Sequence, residues 1–202
     1  MNITIHRWML LASCLLLTAC TGLQAPRVEN TQLYVLDARP TTQLTHTRNN
    51  QVLAISMPEA WPGFDTPQMA YVQHPLTLEY FATHRWADTP AHLLKPLLAQ
   101  ALEPHFRAVV PSPGLIPADL RLDTELIRLQ QDFTARPSRM QLVLRAQLID
   151  IKSKRVIAVR VFDESEPADS EDAYGGVLAT NRALQRVLEQ LADFCINESG
   201  NK

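Results

Sequence analysis

The sequence predicts a single α/β domain in which a largely antiparallel sheet carries two helices. Three observations predict it. Apolar and polar residues alternate with period two through three long segments between Leu120 and Asp163. Two further segments, one opened by Thr89-Pro90 and one from Tyr174 to Cys195, space their apolar residues as a helix does. No repeat and no second hydrophobic core interrupts the order, and 202 residues suit one domain. The chain is 46% hydrophobic with a formal charge of −2, so nothing basic drives it toward nucleic acid.

The elements follow in chain order. Thr21 to Gln32 is polar, contains Gly22 and Pro26, and reads as a tether. Leu33 to Leu36 is a compact strand, and Gln51 to Met57 is a second one stopped by Pro58. Pro58 to Pro67 holds three prolines and Gly63 and cannot stay regular for long. Met69 to Val72 and Leu76 to Phe81 read as a hairpin-like pair. Thr89 is a good N-cap and Pro90 suits the first helical position. Leu93, Leu94, Leu97, Leu98, Ala101 and Leu102 then form one apolar face, while Pro96 predicts a kink or a late start near Lys95. Arg107 to Val110 is a short strand. Leu120, Leu122, Thr124 and Leu126 share one face of the next strand; Met140, Leu142, Leu144, Ala146 and Leu148 share one of the following. In the third, Ile157, Val159 and Val161 are expected to be the buried row. Glu164 to Asp172 reads as a solvated acidic loop, and Val177, Leu184, Leu188, Leu191 and Cys195 as the apolar stripe of the last helix.

The N-terminus reads as an address. Trp8 to Leu17 is uncharged but too short to cross a bilayer core of roughly 30 Å. His6 and Arg7 precede it and Leu17-Thr18-Ala19-Cys20 follows, the layout of a secretory leader. The placement of Cys20 resembles the bacterial lipobox, in which cleavage falls before the Cys and its thiol carries diacylglycerol. The boundaries expected are a leader over 1–19, a lipidated Cys20 with its tether over 20–32, and the domain over 33–197. Several acyl chains on one residue make attachment firm, each buried CH₂ contributing roughly 0.8 kcal/mol. Thr21, rather than Asp, after Cys20 fits the lipoprotein sorting pattern for the periplasmic face of the outer membrane. Cys14 leaves with the leader, so Cys195 is the one free thiol and no internal disulfide forms.

Little in the chain asks for catalysis. No phosphate loop, nucleophile elbow or zinc-protease pair is present. Gly175-Gly176 before a helix could expose amides to an anion, but reads more simply as small residues admitting close helix–sheet packing. His84, Asp88 and His92 recur every four residues, yet the cap at Thr89-Pro90 falls between them. No catalytic residue, metal or cofactor is expected. Tyr80-Phe81, Arg85 and Trp86 are aromatics around an Arg. They are either a docking surface, with Arg85 and Trp86 as its anchors, or core residues beneath the helix start.

The lipobox at Cys20, Tyr34-Val35-Leu36, the block Tyr80-Phe81-Ala82-Thr83-His84-Arg85-Trp86-Ala87-Asp88-Thr89-Pro90, the stretch Leu126 to Phe133 and the Ala-rich last helix together resemble the ABC-type transport auxiliary lipoproteins. PqiC-like outer-membrane lipoproteins belong to that family. The resemblance implies a mixed sheet flanked by helices, similar to the N-terminal domain of TolB, with the first helix as a crossover. It implies a noncatalytic adaptor in an envelope lipid-transport system, partnered with a mammalian-cell-entry (MCE) domain protein and able to form a homo-oligomer. The other reading is a periplasmic lipid carrier, which needs an apolar pocket of about 300 Å³ or more.

Overall fold

The computed structural model describes residues 30–39 and 48–200; Cys20 and the leader lie outside them. Residues Thr31–Lys202 make one compact unit. The strands are β1 (Gln32–Tyr34), β2 (Asn49–Ile55), β3 (Glu59–Ala60), β4 (Gln68–Val72), β5 (Glu79–Trp86), β6 (Phe106–Pro111), β7 (Leu120–Asp132), β8 (Arg139–Asp150) and β9 (Arg155–Pro167). The helices are α1 (Pro90–Leu102) and α2 (Ala173–Gly200).

β7 organises the sheet. Its one edge pairs antiparallel with β8 along nearly its whole length, and β8 pairs antiparallel with β9, as the alternating segments predict. Its other edge is shared by three parallel strands in sequence. β2 meets Leu120–Leu122, β3 meets Glu125–Leu126, and β4 meets Gln130–Asp132. Ser56 N–H to Leu122 C=O (3.1 Å) and Trp61 N–H to Leu126 C=O (2.9 Å) carry the pairing across Pro58 and into the proline-rich segment. From β4 the sheet extends through antiparallel β5 to parallel β1, and from β2 to parallel β6. The sheet is therefore mixed, with its longest ladders antiparallel. α1 carries the chain from β5 to β6, strands of opposite direction, so the handedness rule for parallel crossovers does not govern it.

α1 begins at Pro90, not near Lys95. The Thr89 hydroxyl accepts from His92 N–H at 3.4 Å, and Pro96 sits inside an unbroken helix. The donor that Pro96 lacks would have met His92; both residues lie on the exposed stripe, where water replaces it. Leu94, Leu97, Leu98, Ala101 and Leu102 bury as their spacing predicts. α2 opens with Asp172 as its cap, the carboxylate accepting from Gly175 N–H at 2.8 Å. All five residues of its expected stripe are buried. Both helices contribute to a core with Leu53, Ile55, Phe106, Leu120, Leu122 and Leu126, where Phe162 meets Phe194 edge-on at 6.2 Å.

Two expectations change on β9. Val159 and Val161 are exposed, whereas Ala158, Arg160, Phe162, Glu164 and Glu166 stand in register with the buried row Leu148, Ala146, Leu144, Leu142 and Met140. The cause is a bulge: Leu148 opposes Ala158 but Ile149 opposes Val156, leaving Ile157 unmatched and reversing the alternation. Glu164 and Glu166 are consequently strand residues turned toward α2, not part of a solvated loop. Arg182 binds Glu166 (2.7 Å) and Asp169 (2.6 Å), and Arg186 binds Glu164 (2.9 Å) and Glu166 (2.6 Å). Burial opposes ionisation of Glu166, but the hydrogen bonds and charges of the two arginines outweigh it and hold the carboxyl below the usual range.

A carboxyl lowered by folding stabilises the native state above its unfolded pKa. That stability is lost as the pH falls through the folded value. Glu166→Gln is expected to cost on the order of 1 kcal/mol at neutral pH, reduced by the solvent that reaches both arginines. Urea midpoints of the two proteins should converge as acidification takes the pH below the ordinary glutamate range and through the lowered folded value; a gap of constant size across that range refutes the assignment.

Cys195 is wholly buried, and burial pushes its thiol well above the ordinary range. A thiol reagent should label the folded mature chain only at the rate of its unfolding. Rapid native labelling at this residue would contradict the packing of α2.

Candidate functional site

The sequence-expected docking residues separate across the sheet. Tyr34 opposes Trp86, and Leu33 opposes Arg85, in the β1–β5 register. Trp86 is 2% exposed and belongs to the core, so it cannot anchor a partner; alternation along β5 turns it inward and leaves Arg85 at the surface. Cys20 lies outside the described residues. His84 and the Asp88–His92 pair also part company. Asp88 meets His92 Nδ1 at 3.1 Å across the cap, whereas His84 remains on β5 and stacks on Tyr34 at 5.9 Å. The N–H of Thr89, then His92, lowers the Asp88 carboxyl. Among the described residues, no three His, Cys, Asp or Glu converge as metal ligands.

What converges instead is a run of rings. From Tyr34 the contacts lead to Tyr174 (6.3 Å) and to His84, from His84 to Phe81 (6.0 Å), and from Phe81 to Tyr71 (4.7 Å) and Phe133 (6.3 Å). The tilted and edge-on angles are those favoured by ring quadrupoles. Five pieces of chain supply them: β1, β4, β5, the residue after β7, and the first turn of α2. All but the exposed Tyr174 are half-buried.

Tyr71, Tyr80, Phe81 and Phe133 line an open groove of about 680 Å³, with Arg136 and Glu171 also on its wall. Tyr71 donates to Glu79 at 3.0 Å, and Tyr80 to the carbonyl of Gly63 at 3.1 Å, so the phenols are held by their polar ends. Burial, then Glu79, raises the Tyr71 hydroxyl; burial, then Asp172, raises Tyr34. Gly175 N–H and the Ser170 hydroxyl lower Asp172. The groove thus presents aromatic faces with an acid and an Arg beside them, a lining suited to binding an extended chain. Sequence reading named Tyr80 and Phe81 but did not join them to Tyr71, Phe133 or Tyr174.

The Gly175-Gly176 pair is explained by packing. A Cβ on Gly176 would overlap the Gln131 carboxamide, and one on Gly175 would lie 2.6 Å from Ser170 N. A second depression, about 270 Å³ and lined by Ile55, Lys95, Pro96, Ala99, Val109, Val110 and Pro111, lies between α1 and β6.

Residues 34–192 match the ABC-type transport auxiliary lipoprotein component family. The chain belongs to that family. Among solved structures, the auxiliary lipoprotein is similar to a DUF330 protein of Xanthomonas campestris, with TM-score 0.77 and 22% identity over 84% of this chain and 97% of the other. A hypothetical protein of Chlamydia trachomatis is similar at TM-score 0.51 and 11% identity, over 74% and 97%. Both likenesses are of fold. No curated protein matches the sequence.

Proposed function

We propose that this auxiliary lipoprotein is a noncatalytic adaptor, lipidated at Cys20 and held at the periplasmic face of the outer membrane. It docks an MCE-domain protein of an envelope lipid-transport system. The observation that carries the docking role is the aromatic groove, a set of half-buried rings left open to solvent. Arg85, exposed on β5 but outside the groove's lining, serves this reading as a separate contact. The lipid supplies the address, and the groove supplies the partner.

Changing Cys20→Ala behind a cleavable secretory leader is expected to give a folded, unanchored protein that no longer supports transport. Full transport from that soluble form would overturn the tethered mechanism. A photo-crosslinker at Arg136 should capture an MCE-domain protein in intact cells; capture of cytoplasmic proteins alone would overturn the docking reading. The carrier reading has the apolar depression beside α1 as its candidate pocket, about 270 Å³ and short of the volume that reading needs. Native mass spectrometry separates the two, since a carrier retains a phospholipid that an adaptor lacks.

A further inference from the structure

A second surface, outside the groove, joins two segments at the start of β7. The loop 111–119 leads into Leu120, which pairs with Asp150 at the end of β8, and Ile151 N–H donates to the carbonyl of Asp119 at 3.1 Å. The β8–β9 turn therefore lies against that loop. Leu115 and Ile116 are 103% and 61% exposed, Val156 is 50% exposed, and Ile151 stands out beside them. Pro111, Pro113 and Pro117 fix backbone angles on both sides of Leu115-Ile116, so the loop offers its aliphatic side chains with little left to order.

The charge at this place is polarised along β9. Lys152, Lys154 and Arg155 are all exposed in and next to the turn, while Asp163 to Asp172 occupy the other end of the strand and the loop beyond. The nearby carboxylates are already engaged: Asp119 accepts from Val52 N–H at 2.8 Å and Asp150 from Ser153 N–H at 2.7 Å. Exposed aliphatics bordered by three cations complement a surface that is apolar within and anionic at its rim.

We propose that this end of the sheet rests on an anionic lipid bilayer, with Leu115 and Ile116 entering the headgroup region and Lys152, Lys154 and Arg155 meeting lipid phosphates. The chain between Cys20 and β1 extends at most about 40 Å, comparable with the length of a 13-residue strand such as β7. A lipid on Cys20 thus permits this end to lie on the bilayer that holds it. The contact deepens the anchored reading, but its test does not depend on the anchor.

The full mature chain carrying Cys20→Ser is mixed with vesicles containing phosphatidylglycerol and, separately, with phosphatidylcholine vesicles. It is expected to sediment with the first and not the second. Lys152→Glu with Lys154→Glu, and independently Leu115→Asp with Ile116→Asp, should weaken binding at least about tenfold. Leu76→Asp, at the exposed tip of the β4–β5 turn, should leave it unchanged. Unchanged thermal unfolding of these surface variants shows that the fold is intact. Equal binding to both vesicle types, wild-type binding by the Lys152/Lys154 or the Leu115/Ile116 variants, or binding to a partner protein through these residues with none to lipid would each overturn the proposal. Because the assay uses unlipidated protein, a failure of Cys20 to be acylated in cells leaves its outcome unaffected.

Discussion

Gly176→Ala is expected to destabilise the domain by about 2–4 kcal/mol. The new methyl would overlap Oε1 of Gln131 and lie 2.9 Å from its Cδ. Gln131 cannot swing away cheaply, because it is buried on β7 and its Nε2 donates to the buried Ser138 hydroxyl at 3.0 Å. Ser138 is itself fixed, its N–H donating to Glu171 at 2.9 Å and its carbonyl accepting from Ala168. The alternative response lifts α2, and with it Val177, Thr180 and Leu184, from the sheet. Either response loses buried contacts or strands a polar group. Gln131 Oε1 has no hydrogen-bond partner among the described residues and stands at the space a Gly176 side chain would fill. Shortening the obstacle with Gln131→Ala should make Gly176→Ala cost less than half as much. Urea unfolding of the four proteins measures that coupling. Additive losses would mean that the glycine serves something other than this approach.

That close approach was legible in the sequence as a pair of small residues at a helix start, though not which side chain required it. The rest divides in the same way, between local patterns and distant partners. Thr89-Pro90 marks α1 because a cap and a first-turn proline are signals within three residues. The β7–β8–β9 meander is legible because period two persists through strands of 12 or 13 residues. Parallel pairing of β2, β3 and β4 along one edge of β7 has no local signal, since it joins residues more than fifty positions apart. The reversed face of β9 depends on one unmatched residue, Ile157. Glu164 and Glu166 are paired with arginines of α2, 16 to 22 positions further on, so their row reads as the solvent side. The aromatic groove is hidden for the same reason: Tyr71, Phe81 and Phe133 come together only through the sheet, and each alone is an ordinary residue in or beside a strand.

Trp86→Ala should cost about 3–5 kcal/mol, the range for deleting a buried aromatic. Its indole is 2% exposed, and its backbone is held from both sides: Trp86 N–H donates to Pro67 C=O at 2.8 Å, while Ala87 N–H donates to Tyr34 C=O at 2.7 Å. Little of the resulting void can close by backbone movement, which places the cost toward the upper end. Trp86→Phe keeps most of the volume and should cost less than half as much. Emission reports the loss directly, because Trp61 is half exposed and Trp86 supplies the blue-shifted component. The neighbour in sequence gives the contrast. Arg85 is exposed, so Arg85→Ala should alter stability by no more than about 0.5 kcal/mol. Partner capture lost in Trp86→Ala would therefore follow the population of folded protein and be restored by a stabilising osmolyte. Capture lost in Arg85→Ala would persist under the same treatment. Stability of Trp86→Ala within 1 kcal/mol of wild type would contradict its place in the core.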